Sequence, residues 1–230
     1  MLTSRAEDTK LRILDAALEL FRTRGFEQAT MRDIAAAAQV ATGAAYYYFD
    51  SKEALVLAFY ERAADAMRPL VTEAARRAPS LETRLVAVIQ AKLDYLAPYR
   101  EMLRAMLRGG ADPAHPLSPF GTHTAPLREA DFALMRSLAR DSEVRVPTDL
   151  EAHLGPVLWM FQMGILFYWL IDHSSAQQQT RRLLEQSARV VVGLLKLASM
   201  TIARPVRKVV VDLIETVRAG VPGPAVTPAE

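Results

Sequence analysis

Residues 30 to 49, Thr-Met-Arg-Asp-Ile-Ala-Ala-Ala-Ala-Gln-Val-Ala-Thr-Gly-Ala-Ala-Tyr-Tyr-Tyr-Phe, hold the side chains best suited to gripping a polyanion. Thr30 is a good N-cap with Asp33 three residues on, and it opens a short helix through Ile34 and Ala35 to about Ala38. Val40 closes a turn, and a second helix runs from about 42 to 49 with Ala45 and Phe49 at i,i+4 facing inward. This is helix-turn-helix geometry. The face left over carries Thr42, Gly43, Ala44, Tyr47 and Tyr48. Small residues there let the backbone approach a DNA groove, and phenolic tips reach phosphates or bases. Tyr46 is divided between that face and partial core packing.

The elements that must position this motif read as helices. Apolar residues recur at three and four, and no alternating strand run bounded by hairpin turns occurs. A first helix starts near Asp8 or Thr9, carries Leu14, Ala17, Leu18 and Phe21, and stops at Gly25, which suits a left-handed cap. Asp50 to Glu53 signal the start of a longer helix that Pro69 should end. Further helices are expected at roughly 80–97, 99–109, 126–142, 148–173, 177–203 and 205–218. Residues 109–121, rich in Gly and Pro, are expected to form a mobile loop, and 219–230 a disordered tail.

Composition removes whole classes of function. With 230 residues, 51% hydrophobic and 23% charged, the chain is an ordinary globular protein. It has no cysteine, so disulfides, thiolate zinc sites and a thiol nucleophile are excluded. The first residues lack a signal-peptide core, which makes the cytoplasm the expected compartment. The four histidines form no metal box, and no phosphate-binding glycine loop or nucleophile elbow occurs. The chain is therefore expected not to be an enzyme and to need no cofactor or metal. Net charge is only +2, and residues 1 to 68 are themselves slightly acidic. Any DNA contact must rest on local placement, with Lys10, Arg32, Lys52 and a flexible Arg5 gathered on one face and doubled in a dimer.

Residues 9 to 62 resemble the DNA-binding domain of the tetracycline-repressor (TetR) family. The resemblance rests on features in register: Ile13-Leu-Asp-Ala-Ala17 with Leu20-Phe21, Gly25-Phe26, Thr30, Asp33-Ile-Ala35, Val40, Gly43, Tyr46 with Phe49, and Lys52-Glu-Ala-Leu55. It implies an all-α fold, with an N-terminal three-helix DNA-binding domain at 7–67 and a larger helical effector-binding and dimerisation domain at 70–218. It implies that Thr30 belongs to the DNA-contacting set and that Arg32 and Thr42 point at base edges. Gly43 and Ala44 would line the groove, and Tyr46, Tyr47, Tyr48 and Lys52 would hold the sugar-phosphate backbone. Two positions depart from the pattern. Gln39 stands where the family's turn commonly has glycine, and Ala41 where it has a serine cap, which leaves Thr42 as an alternative cap.

In the second region Leu154 to Ile171 is apolar nearly all round. A membrane span is the rival reading, but Pro156 and Gln162 interrupt it and positive flanks are missing. Helices 148–173 and 177–203 are instead expected to form a four-helix bundle across a twofold axis, making a homodimer. That twofold would set the two reading helices ~34–36 Å apart on a pseudo-palindromic double-stranded DNA operator. Met102, Met106, Phe132, Met135, Trp159, Met163, Phe167 and Tyr168 are candidates for a pocket, although core packing is the commoner role for any one of them. Such a lining suits a small apolar effector. The expected function is a repressor released by that effector; the alternative is a small-molecule-binding or interaction protein whose helix-turn-helix has lost DNA affinity.

Overall fold

In a computed structural model, the structure describes residues 4–110, 112–200, 203–205, 207–209, 211 and 212. Among them all regular structure is helical: α1 (Ser4–Arg24), α2 (Met31–Ala37), α3 (Thr42–Tyr48), α4 (Lys52–Arg77), α5 (Leu81–Leu96), α6 (Arg100–Gly110), α7 (Ala125–Arg140), α8 (Thr148–Ile171) and α9 (Gln178–Ala198), with short 3-10 turns at Ala97–Tyr99 and Ser175–Gln177. Most of the expected helix at 205–218, including Val206, Val210, Leu213, Ile214 and Val217, lies outside the described residues, as does the tail 219–230.

The chain divides into two compact units, Met1–Pro69 with Lys92–Leu127, and Leu70–Ala91 with Arg128–Glu230. The first unit is built on the apolar stripe of α1, where Ile13, Leu14, Ala17, Leu18 and Phe21 are all buried. Ile34 and Ala35 of α2, Ala45 of α3, Phe49, and Leu55, Val56 and Phe59 of α4 complete that core. Met102 of α6 and Leu117 also pack into it, so these residues belong with the first unit and not with the second, as the sequence boundary at 70 had them. The second core joins Val71, Leu81, Leu85 and Val88 to Met135, Leu138, Leu154, Leu158 and Val192.

Local chemistry explains several of the element ends. Gly25 takes φ 86°, and its amide donates to the Phe21 carbonyl at 3.1 Å, the left-handed stop that ends α1. Ser51 accepts a hydrogen bond from the Ala54 amide at 3.1 Å and so caps α4. Three expectations are corrected. Pro69 does not end α4, which continues to Arg77. Proline forfeits one helical hydrogen bond, but good helix formers flank it, and Glu73 pairs with Arg76 and Arg77 to stitch the last turns. Arg5 lies within α1 rather than in a flexible arm. The Gly/Pro-rich stretch after α6 is a packed series of turns: Leu117, Ser118, Gly121 and Thr124 are buried, and the Thr124 hydroxyl donates to the Ser118 carbonyl at 2.6 Å.

Candidate nucleic-acid interface

The motif begins with a closed cap. The Asp33 amide donates to the Thr30 hydroxyl oxygen at 3.2 Å, while the Thr30 amide and hydroxyl donate to the Asp33 carboxylate at 3.2 and 2.6 Å. Those bonds hold the Asp33 carboxyl below its ordinary range, with Arg24 and Arg32 adding to the effect. The Thr30 side chain is thus engaged in starting α2. Arg24 and Arg32 are both exposed near this helix start. Arg24 did not stand out in the sequence; its only signal there is its place directly before the Gly25 cap.

The turn between α2 and α3 is made by Gln39 at φ 56°, with the Val40 amide returning to the Ala35 carbonyl at 3.0 Å. Gln39 therefore takes the left-handed conformation for which glycine is better suited. Gln39→Gly is expected to raise stability by up to about 1 kcal/mol in urea unfolding, the relieved strain slightly exceeding the added chain entropy. A loss of stability would show that the exposed Gln39 side chain contributes more than its backbone costs. Ala41 is the N-cap of α3 and supplies no side-chain bond, so Thr42 is the first helical residue and does not cap. Its hydroxyl points from an exposed position.

The α3 faces separate by spacing. Ala45 and Phe49 are buried, and Tyr48 packs against the same core. Tyr48 therefore leaves the free face to which its number assigned it, and Tyr46 takes its place. Tyr46 is 51% exposed and Tyr47 79%, while Ala44 is half-buried. The outward set is Thr42, Gly43, Tyr46 and Tyr47, two i,i+4 pairs on one side of a short helix. Tyr47 stands edge-on to Tyr48, ring centroids 5.2 Å apart, which braces an otherwise solvated ring.

Lys52 is placed differently from what the resemblance implies. Its ammonium donates to the Phe26 carbonyl at 2.7 Å and lies 4.5 Å from the centre of the Phe26 ring, so it clasps the connection between α1 and α2. Lys10 similarly lies over the Phe49 ring, 5.6 Å from its centre. Both charges remain on the first unit, but packing fixes where they sit.

The pocket candidates divide between the units. Met102 is buried in the first core and Met106 packs against it. The other six belong to the second unit. Met135, Trp159 and Met163 are buried there, and Phe132, Phe167 and Tyr168 are half-buried. Phe132 and Trp159 meet edge to face at 5.4 Å. Gln162, the polar residue inside apolar α8, is buried and donates to the Asp131 carboxylate at 2.9 Å. Gly155 brings α8 so close to α7 that an added Cβ would lie 2.7 Å from the Phe132 carbonyl oxygen. Among the described residues, no group of three or more acidic or histidine side chains could hold a metal ion.

Comparison with known proteins covers both units. The family model described as bacterial regulatory proteins, tetR family, matches residues 13–59, and a tetracyclin repressor-like C-terminal domain matches 84–215. The HTH-type transcriptional repressor KstR of Mycolicibacterium smegmatis is 28% identical over 191 residues, covering 81% of this chain and 88% of that protein. KstR2 of Rhodococcus jostii is 44% identical over 54 residues, 24% of this chain and 26% of its own length. Among solved structures, a tetR-family regulator from Streptomyces coelicolor superposes with TM-score 0.65 at 21% identity, covering 95% of this chain and 98% of that one. FadR of Thermus thermophilus, solved in complex with lauroyl-CoA, superposes with TM-score 0.60 at 23% identity over 80% of this chain and 93% of its own. These similarities support a DNA-binding transcriptional regulator and not an enzyme, with an N-terminal helix-turn-helix domain and a larger helical domain. With its helix-turn-helix segment matched by one family model and most of the remaining chain by another, this protein belongs to the tetR family of bacterial regulatory proteins.

Proposed function

We propose that the chain is a homodimeric repressor, acting in the cytoplasm, that binds a pseudo-palindromic operator and leaves it when a small apolar molecule is bound. The observation that carries the DNA-reading assignment is the outward quartet of α3, which pairs small residues with two solvated tyrosines over a fully packed inner face. Thr42 reads base edges, Gly43 admits the groove wall with Ala44 behind it, and Tyr46 and Tyr47 hold the backbone. Arg32 and Arg24 supply positive charge beside α2. Tyr48 and Lys52 act on the DNA by positioning their neighbours. The reading head occupies 7–67, and effector binding and dimerisation fall within 70–218.

The dimer reading is supported by exposed apolar residues on two helices: Val157, Met160 and Ile171 of α8, and Leu183, Val190, Leu194 and Leu197 of α9. Of the described helices, α8 is the one long and apolar enough to cross a membrane, with half of its apolar window buried. The apolar surface extends onto α9 through Leu183, Val190, Leu194 and Leu197, a self-complementary patch that suits a second copy meeting it across a twofold. The effector reading is supported by the aromatic pair Phe132 and Trp159, with Met135, Met163, Phe167 and Tyr168 in the same unit, and by the acyl ligand of the FadR neighbour. Release requires the effector to favour a conformation whose reading helices no longer match the groove spacing.

The test is fluorescence anisotropy of DNA from immediately upstream of the protein's own gene, against an unrelated duplex, at several salt concentrations. Tight binding confined to the upstream DNA is expected. Tyr47→Ala should weaken it by about tenfold or more with stability changed by less than about 0.5 kcal/mol. Thr42→Ala should alter preference among operator variants. Equal loss on every variant would remove Thr42 from base reading, and full affinity in Tyr47→Ala would overturn the interface.

A further inference from the structure

The second unit carries a cleft of about 800 Å3, a volume in the range of small-molecule sites. Four cations line it, Arg145, Arg204, Arg207 and Lys208, against one carboxylate, Asp149. Arg207 is fixed: its guanidinium donates to the Asp149 carboxylate at 2.6 Å and to the Ala198 carbonyl at 2.7 Å. Arg145 and Lys208 make no hydrogen bond or ion pair with the described residues. The lining thus holds an excess of three positive charges in a chain whose whole net charge is +2, so the concentration does not follow from general basicity.

Like charges gathered in a concave site repel one another unless an anion joins them. The amides opening α8 at Thr148 and Asp149, behind an N-cap proline that gives no side-chain bond, add partial positive charge to the same wall. Val146 and Val211 provide apolar wall as well. A single carboxylate would leave most of the excess unmet, and a purely apolar effector would leave it all. We propose that this cleft binds a small molecule carrying at least two phosphate groups beside an apolar or aromatic part, of which a nucleoside diphosphate is a suitable representative. The cleft is lined by residues of the second unit alone, and its occupancy is measured without reference to operator binding.

The experiment is calorimetric titration of the full chain with inorganic pyrophosphate, ADP and adenosine. Expected is one site per chain for pyrophosphate and for ADP, with ADP the tighter and adenosine giving no heat of binding. The double variant Arg145→Ala/Lys208→Ala spares the Arg207–Asp149 pair and should keep its melting temperature. It should lose about tenfold or more in affinity for both phosphate probes, as removal of charge-assisted contacts does. Absence of binding by both phosphate probes, adenosine binding as tightly as ADP, or an unchanged affinity in the double variant would each overturn the proposal. So would a double variant that loses affinity for an unrelated DNA duplex while still binding pyrophosphate, since the cleft would then be a contact for the DNA backbone.

Discussion

Leu194→Glu is expected to turn the protein into a monomer of 25.5 kDa in sedimentation equilibrium and to remove most of its operator affinity. Leu194 is 59% exposed in the single chain, in the same row as Val190 and Leu197, so the substitution costs little within one subunit. In a twofold interface the same patch meets its own copy, and each substitution places two carboxylates in the seam. Desolvating them without partners costs several kcal/mol, enough to separate an interface of ordinary size. Each half-operator would then be bound by one reading head alone, and the loss of linked binding is worth on the order of 10²-fold or more. Unchanged helical circular dichroism together with monomeric mass and weak DNA binding would support the dimer face. A dimer of unchanged mass, or a monomer with full operator affinity, would sink it.

Asp172→Ala is expected to have the largest effect on stability, about 3 kcal/mol in urea unfolding. Asp172 ends α8, is 4% exposed, and accepts bonds from the Ser174 amide at 2.8 Å and from the Thr180 amide and hydroxyl at 2.9 and 2.6 Å. Alanine would leave the buried Thr180 donors unanswered where α9 begins. The same corner already holds Ala176 and Gln177 at φ 49° and 51°, so it has little tolerance for a further loss. Burial pushes the Asp172 carboxyl up, but the bonds from Thr180 and Ser174 outweigh it and hold it well below the carboxylate range. A folded-state value lowered in this way contributes stability above the unfolded value near 4, and that stability is lost as pH falls through the lowered folded value. The variant should therefore show a flatter fall in stability with acid than the parent chain. Equal acid slopes, or a loss under about 1 kcal/mol, would mean the corner is held by other contacts.

Features determined within a few residues were legible in the sequence. The Thr30–Asp33 cap, the Gly25 stop, the starts of α3 and α4 and the apolar run of α8 each depend on neighbours three or four positions away, where backbone hydrogen bonding and side-chain spacing decide the outcome. The family resemblance of residues 9 to 62 rests on the same local features, and matches to both units extended it along the chain.

What only the tertiary structure decided depends on groups far apart in the chain. Spacing assigned Tyr48 to the outer face of α3 and divided Tyr46 between the two; packing against the core drew Tyr48 inward and left Tyr46 outside. Lys52 looked like a phosphate contact, yet a carbonyl 26 residues earlier takes its ammonium. Met102 and Met106 resembled the aromatic and methionine residues of α7 and α8 by type, but they fill a core with α1. Pro69 carried a local signal to stop that the flanking turns of α4 overrode. The charged cleft gathers Arg145 with residues some sixty positions later, a juxtaposition no periodicity announces. Local pattern sets which elements form because their bonds close within a turn; partners and faces are set by which surfaces meet, and that is a property of the packed chain.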